Sequence, residues 1–279
     1  MPEANPTPRE PSVPWLVLLA DNSASMRKSL AAAIRNYDRS IEIVEAVTGK
    51  EALDVLVGRV PDIAFINLQL PEITGAEAIA WASRKNIRPL TILMSNQVLP
   101  KWVEVSTELG AYEFWRKRFD PEHLKQLHAA YRVMQTPMKL LLVDENPTAH
   151  DVIARMLGNC RFTLDIDDSD NGTHAIALMR STHYDVALID ATFSSGMSGF
   201  EIACQARALS PSTKLILMTK DTGKSMQIAG QFGLRSFLKK PFYVRDVDFA
   251  LHSEFGLRRP YLLNALVAPP RSRAAGERA

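Results

Sequence analysis

Residues 184–203 read YDVALIDATFSSGMSGFEIA, and their order of apolar run, acid, small-residue loop and amphipathic start decides the fold. Residues 186–189 (VALI) form a short continuous apolar run, as expected of a strand buried on both faces of a parallel sheet. Asp190 is the first polar group after that run. Gly199 then precedes apolar residues at helical spacing, Phe200, Ile202, Ala203 and Ala206. A strand, a loop and a helix in that order make the repeating unit of an α/β sheet.

Moving outward, the chain repeats at an offset of 123 residues: Asp21 lines up with Asp144, Gly49 with Gly172, Asn67 with Asp190, Gly110 with Gly233 and Lys117 with Lys240. Two domains of one fold follow. In the second half the strands are expected at 140–143 (LLLV), 162–166 (FTLDI), 186–189, 214–218 (KLILM) and 235–239 (RSFLK). In the first half they are expected at 15–19 (WLVLL), 41–46 (IEIVEA), 63–66 (IAFI), 91–94 (TILM) and 112–116 (YEFWR). Helices fill the gaps. Pro147 suits the first turn of one that runs to about Leu157, and Asn171 with Gly172 opens the next. Gln135-Thr136-Pro137 is the expected junction between the halves.

A chain of 279 residues is about two domains long, and 46% hydrophobic with 23% charged residues suits soluble globular units. The formal charge of +2, from 33 basic and 31 acidic residues, is too small to imply a nucleic-acid or membrane partner. The first 14 residues, MPEANPTPREPSVP, carry five prolines and no apolar stretch, so they read as neither signal peptide nor anchor. The expected compartment is the cytoplasm. Cys160 and Cys204 sit in apolar surroundings without metal-ligand spacing and read as reduced core or near-core thiols.

In a parallel sheet of this kind, functional groups gather beyond the carboxyl ends of the strands, at the switch point of the strand order. The polar residues repeated in the second half fall there: Asp144 and Glu145 after the first strand, Asp190 after the third, Thr219 after the fourth and Lys240 after the fifth. Three converging carboxylates repel one another unless a divalent cation joins them, and oxygen ligands select Mg²⁺, with Mn²⁺ a second choice. Thr219 can donate to a phosphoryl oxygen and Lys240 can neutralise it, which makes Asp190 the nucleophile of a phosphoryl-transfer site.

These residues resemble the receiver domain of bacterial two-component response regulators, in both halves and over about residues 14–256. The segment VDENPTAHDVIARML resembles that family's acidic-pair opening and YDVALIDATFSSGMSGFEIA its phosphoacceptor segment. LILMT resembles its hydroxyl position and FLKKPF its Lys-Pro signature. The resemblance implies two flavodoxin-like (βα)5 domains, each with a five-stranded parallel sheet in order 2-1-3-4-5. Their extents are expected at 14–135 and 137–256, between a disordered segment at 1–13 and a basic tail at 257–279. It also implies that Asp190 takes a phosphoryl group from a histidine kinase or phosphotransfer protein. Asp144, Glu145, Asp190 and the Thr192 carbonyl would hold Mg²⁺, and Thr219 and Phe237 would relay the change to the surface.

The two copies depart from the family differently. In the second, the loop from Asp190 to Gly199 is one residue longer than usual and lacks the expected proline. In the first, Asn67 replaces the phosphoacceptor, Asn22 the second acid and Arg118 the proline after Lys117, so that only Asp21, Ser95 and Lys117 remain. With an amide at 67 and one carboxylate in place of three, the first copy resembles a pseudo-receiver that keeps only the fold.

The 23 residues of 257–279 are too few for an output domain, so the expectation is a stand-alone tandem receiver acting through altered protein contacts, self-association included. The alternative is an adaptor whose first copy binds a partner constitutively while Asp190 tunes that contact or drains phosphate. A phosphatase or dehalogenase reading is disfavoured because Thr192 stands where a second acid would be needed. Elsewhere, YEFWRKRF (112–119) reads as a strand and its loop, with Trp115 a candidate interface residue if exposed. His150, His174 and His183 read as solvent-facing, and the ten methionines as core filling.

Overall fold

The computed structural model describes residues 14–97, 99–117, 120–221, 223, 234–258 and 260. They divide into two compact units, one within 14–128 and the other within 129–258. The first unit runs β1 (Leu16–Ala20), α1 (Ala24–Tyr37), β2 (Glu42–Ala46), α2 (Gly49–Arg59), β3 (Ile63–Asn67), α3 (Gly75–Arg84), β4 (Leu90–Ser95), α4 (Pro100–Glu108) and β5 (Glu113–Arg116). Helix α5 (Pro121–Gln135), within which the two units divide between His128 and Ala129, leads on to β6 (Met138–Val143). The second unit continues with α6 (Pro147–Leu157), β7 (Leu164–Ser169), α7 (Gly172–Ser181), β8 (Val186–Asp190), α8 (Gly199–Leu209), β9 (Lys214–Thr219), β10 (Ser236–Lys239) and α9 (Val244–Glu254). The helix expected between β9 and β10 lies outside the described residues, as do the N-terminal segment and the tail after 260.

Both sheets are wholly parallel, in the orders β2-β1-β3-β4-β5 and β7-β6-β8-β9-β10. The order reverses beside β1 and β6, which leaves a crevice at the carboxyl ends of β1 and β3, and of β6 and β8. Every residue of β1, β3, β4 and β8 is buried, because helices cover both faces of the inner strands. Each Leu or Ile fully removed from water there contributes roughly 1.5–3 kcal/mol. The edge strands β2 and β7 instead carry exposed acids, Glu42 and Glu45 in one and Asp165 and Asp168 in the other. Charge on an edge discourages pairing with another chain.

Local sequence fixes the ends of these elements. Pro147 stands at the start of α6, whose N-cap Asn146 accepts the Thr148 N–H, and Asn171 caps α7 by accepting the His174 N–H at 2.8 Å. Helices α3 and α8 open with capping boxes, Thr74 with Glu77 and Ser198 with Glu201. One glycine in particular aims the site. A Cβ at Gly199 would lie 1.8 Å from the Asp190 carbonyl oxygen, so α8 can start this close to the end of β8 only without a side chain. Gly199→Ala is therefore expected to cost about 1–3 kcal/mol through overpacking. Gly158→Ala is the control, since its Cβ would meet nothing nearer than 3.5 Å at an ordinary φ of -63°. Urea unfolding of the two variants checks the contrast, and equal stability would show that the β8–α8 turn can relax.

Candidate functional site: an acid-lysine cluster and its neutral twin

The carboxyl ends of β6, β8 and β10 bring Asp144, Asp190 and Lys240 together. Lys240 Nζ donates to Asp144 Oδ2 and to Asp190 Oδ2, each at 2.7 Å. The second oxygen of each aspartate is held by backbone two residues on: Asp144 Oδ1 accepts the Asn146 N–H at 3.0 Å and Asp190 Oδ1 the Thr192 N–H at 3.1 Å. Both carboxylates are thereby oriented from two sides. Their side chains are 2% and 12% exposed, so the charge they carry is scarcely hydrated. Burial alone would pull the Lys240 ammonium down, but its hydrogen bonds to Asp144 and Asp190 outweigh that and hold it above the ordinary lysine value.

Thr219 ends β9 and is buried, with its hydroxyl accepting the Asp221 N–H at 3.2 Å and facing the Asp221 carbonyl. Phe237, on β10, is partly buried and packs against the apolar core of its unit. Glu145 does not join the two aspartates. Its Oε2 accepts both the N–H and the hydroxyl of Ser194, each at 2.8 Å, and so clips the Asp190–Gly199 loop to the β6–α6 turn. Among the described residues no three Asp, Glu, His or Cys side chains gather closely enough to hold a metal ion by themselves. Mg²⁺, however, needs only one or two carboxylates as direct ligands and keeps several waters, and buried aspartate oxygens with the added charge of Glu145, the next residue after Asp144, fit it.

The first unit builds the same frame around a neutral centre. Lys117 Nζ pairs with Asp21 Oδ2 at 2.7 Å, and Asp21 Oδ1 accepts the Ser23 N–H at 2.8 Å. Asn67, where Asp190 has its counterpart, donates from Nδ2 to Asn22 Oδ1 at 3.2 Å and to the Gln69 carbonyl at 2.8 Å. Its Oδ1 accepts the Gln69 N–H at 3.2 Å, as Asp190 accepts that of Thr192. Asn22 and Gln69 occupy the positions of Glu145 and Thr192, so one amide nitrogen ties together the groups that in the second unit are the candidate cation ligands. Among the described residues of this site one lysine balances one aspartate, with no excess negative charge to attract a cation. Ser95, at the Thr219-like end of β4, accepts the Gln97 N–H at 3.2 Å. Arg118 lies outside the described residues.

Several residues were misjudged or missed by sequence reading. His150 is not solvent-facing: one ring nitrogen meets the Asp144 carbonyl, the other lies 3.0 Å from Asp168 Oδ2, and the side chain is 12% exposed. His174 and His183 are exposed as expected, and Trp115 is buried, which removes it as an interface residue. Ser194 has no motif that marks it as the partner of Glu145. Cys160 is a buried thiol pushed up to about 12, first by burial and then by the nearby Asp248 charge, and is inert as a nucleophile. Cys204 is also a free cysteine. Among the described residues no helix is long and apolar enough to cross a membrane.

Two doubly wound units with an acid-lysine cluster at the switch point have the architecture of receiver domains. The chain belongs to the response regulator receiver domain family, which matches it twice, over residues 17–129 and 140–251. It therefore carries tandem receivers of two-component signalling. It is 28% identical over 139 residues to the uncharacterized transcriptional regulatory protein YhcZ of Bacillus subtilis, covering 48% of this chain and 64% of that protein. To the transcriptional regulatory protein PdtaR of Mycobacterium tuberculosis it is 31% identical over 116 residues, covering 40% and 54%. To a protein-glutamate methylesterase/protein-glutamine glutaminase of Gluconobacter oxydans it is 30% identical over 107 residues, covering 37% and 30%. The chain thus spans between 30% and 64% of the length of these relatives. A crystal structure of a two-component system response regulator/GGDEF domain protein superposes with a TM-score of 0.61 at 17% identity, covering 87% of this chain and 98% of that one, and shares its fold.

Proposed function

We propose that the second receiver, taken as 137–256, accepts a phosphoryl group on Asp190 from a histidine kinase or histidine phosphotransfer protein, while the first, 14–135, is a pseudo-receiver without that chemistry. The observation that carries this reading is the single Lys240 ammonium shared by two buried aspartates, against one lysine and one aspartate in the first unit. The excess negative charge belongs to one unit alone.

The reaction is a displacement at phosphorus. A carboxylate oxygen of Asp190 attacks the phosphoryl group of a phosphohistidine, the P–N bond breaks with its electron pair left on the imidazole nitrogen, and an acyl phosphate forms on Asp190. Lys240 neutralises charge gathering on the phosphoryl oxygens, and the Thr219 hydroxyl turns from Asp221 to donate to one of them. Asp144, Asp190 and the Thr192 carbonyl would hold Mg²⁺, or Mn²⁺, with Glu145 adding charge beside them. Bound there, the cation supplies positive charge to the phosphoryl oxygens. Redirecting Thr219, with Phe237 one strand away, would alter the surface that a partner protein reads. The output is a change in protein–protein contacts.

Incubation with acetyl phosphate and Mg²⁺, followed by counting the phosphoryl groups per chain, tests the assignment. One is expected; none, or two, overturns it. The silence of the first unit has its own test in an Asp190→Asn background. There Asn67→Asp alone should stay unlabelled, because Asn22 supplies no charge where Glu145 stands, and adding Asn22→Glu should start labelling. Uptake by the Asn67→Asp chain without Asn22→Glu would show that two aspartates and a lysine suffice.

A further inference from the structure

We infer that His150 is a positioning residue for the acid pocket, fixing the Asp144 peptide by bridging it to Asp168 on β7. The inference rests on the phosphoryl site proposed above and deepens it. His150 lies in the first turns of α6, with one ring nitrogen on the Asp144 carbonyl and the other 3.0 Å from Asp168 Oδ2.

The first unit supplies an independent copy of this bridge. There Arg27, in α1, donates from Nη1 to the Asp21 carbonyl at 2.7 Å and from Nε to Glu45 Oε2, on β2, at 2.6 Å. Arg27 and His150, Asp21 and Asp144, and Glu45 and Asp168 are all separated by the same 123 residues as the rest of the repeat. Both side chains of the bridge differ between the copies, yet the helix-to-carbonyl-to-edge-strand connection is kept. A contact arising by chance would not reappear with both of its members changed.

The bridged carbonyl belongs to the residue whose carboxylate meets Lys240, and the same peptide carries Glu145. Any rotation of that peptide swings both acids. Holding its oxygen from one side while Asn146 N–H holds the Asp144 carboxylate from the other leaves Asp144 a single orientation. Partners that orient a metal ligand in this way typically change affinity or activity by about 10–100-fold when removed.

The test uses the full chain, with Mn²⁺ alone as probe, read by electron paramagnetic resonance, and in parallel the rate of phosphoryl uptake from acetyl phosphate. His150→Ala should weaken Mn²⁺ binding by about tenfold and slow uptake comparably. The first unit's own pair, His150→Arg with Asp168→Glu, should restore both, and Arg27→Ala should change neither. Asp168→Ala, which cuts the bridge at an exposed carboxylate, should weaken Mn²⁺ in the same direction and serves if His150→Ala unfolds. Wild-type values for His150→Ala and Asp168→Ala, or no rescue by the Arg/Glu pair in a folded chain, overturn the inference. A wild type that binds Mn²⁺ with this dependence but takes up no phosphoryl group sinks the phosphoryl reading and leaves the inference standing; one that binds no Mn²⁺ overturns both.

Discussion

Asp190→Asn is expected to abolish phosphoryl uptake while leaving the second receiver folded. An amide oxygen is too weak a nucleophile to form the acyl phosphate, and its loss of charge leaves Lys240 balanced by Asp144 alone. The first unit already shows that the frame accepts an amide here, since Asn67 is buried at the same strand end with its carbonyl on the backbone N–H two residues on. Incorporation from acetyl phosphate, measured beside the thermal unfolding midpoint, checks both halves of the expectation. Uptake that persists in a folded Asp190→Asn chain would move the phosphoacceptor elsewhere.

Lys240→Ala should have the largest effect on stability as well as a large effect on chemistry. Removing the ammonium leaves two carboxylates, 2% and 12% exposed, without a counter-charge. Breaking a buried pair from one side costs about 3–5 kcal/mol. Because Lys240 itself is 20% exposed, about 3 kcal/mol is the expectation. The dependence on pH follows from the direction of its shift. The folded value lies above the ordinary lysine value, so the contribution is whole below about pH 10.4 and is lost as pH rises through the folded value. Urea unfolding of wild type and variant should therefore differ by a constant amount between pH 7 and about 10 and converge above that. Mg²⁺ should stabilise Lys240→Ala more than wild type, since the variant holds more uncompensated charge. Uptake from acetyl phosphate should fall by about 10²-fold, the usual cost of removing one preorganised charge-stabilising donor. A variant as stable as wild type at neutral pH would mean that this lysine is not the counter-charge of the two aspartates.

Much of this arrangement was legible because parallel strands buried on both faces leave unbroken apolar runs. VALI and LILM mark their strands without ambiguity, and the first polar residue after each run marks the site. The structure extends these strands by one residue, making Asp190 and Thr219 the last members of β8 and β9 rather than the first of their loops. The ladder continues there, with Asp190 opposite Met218 and Lys239 opposite Thr219. The edge strand β7 was harder to place. It runs Leu164–Ser169 rather than 162–166, and its end is hidden because Asp167 and Asp168 follow one another where an apolar residue would have marked the strand.

Side-chain pairings with no periodic signal were not legible. Ser194 reaches Glu145 across 49 residues from within a loop of small residues, and the His150 bridge joins groups 6 and 18 residues away on different elements. Only the internal repeat, which sets His150 against Arg27 and Asp168 against Glu45, held a clue to the latter. In the first unit, the amide of Asn67 was legible as a lost nucleophile but not as a clasp joining Asn22 to Gln69.

The central claim is that one of two copies of the same frame kept the chemistry. Its most direct test is to treat the wild-type chain with acetyl phosphate and Mg²⁺, reduce the acyl phosphate with borohydride to fix its position, and map the modified peptide by mass spectrometry. The account predicts a single modified residue, Asp190, and unmodified peptides around Asp21 and Asn67. Modification at Asp21, or at any residue other than Asp190, would contradict it.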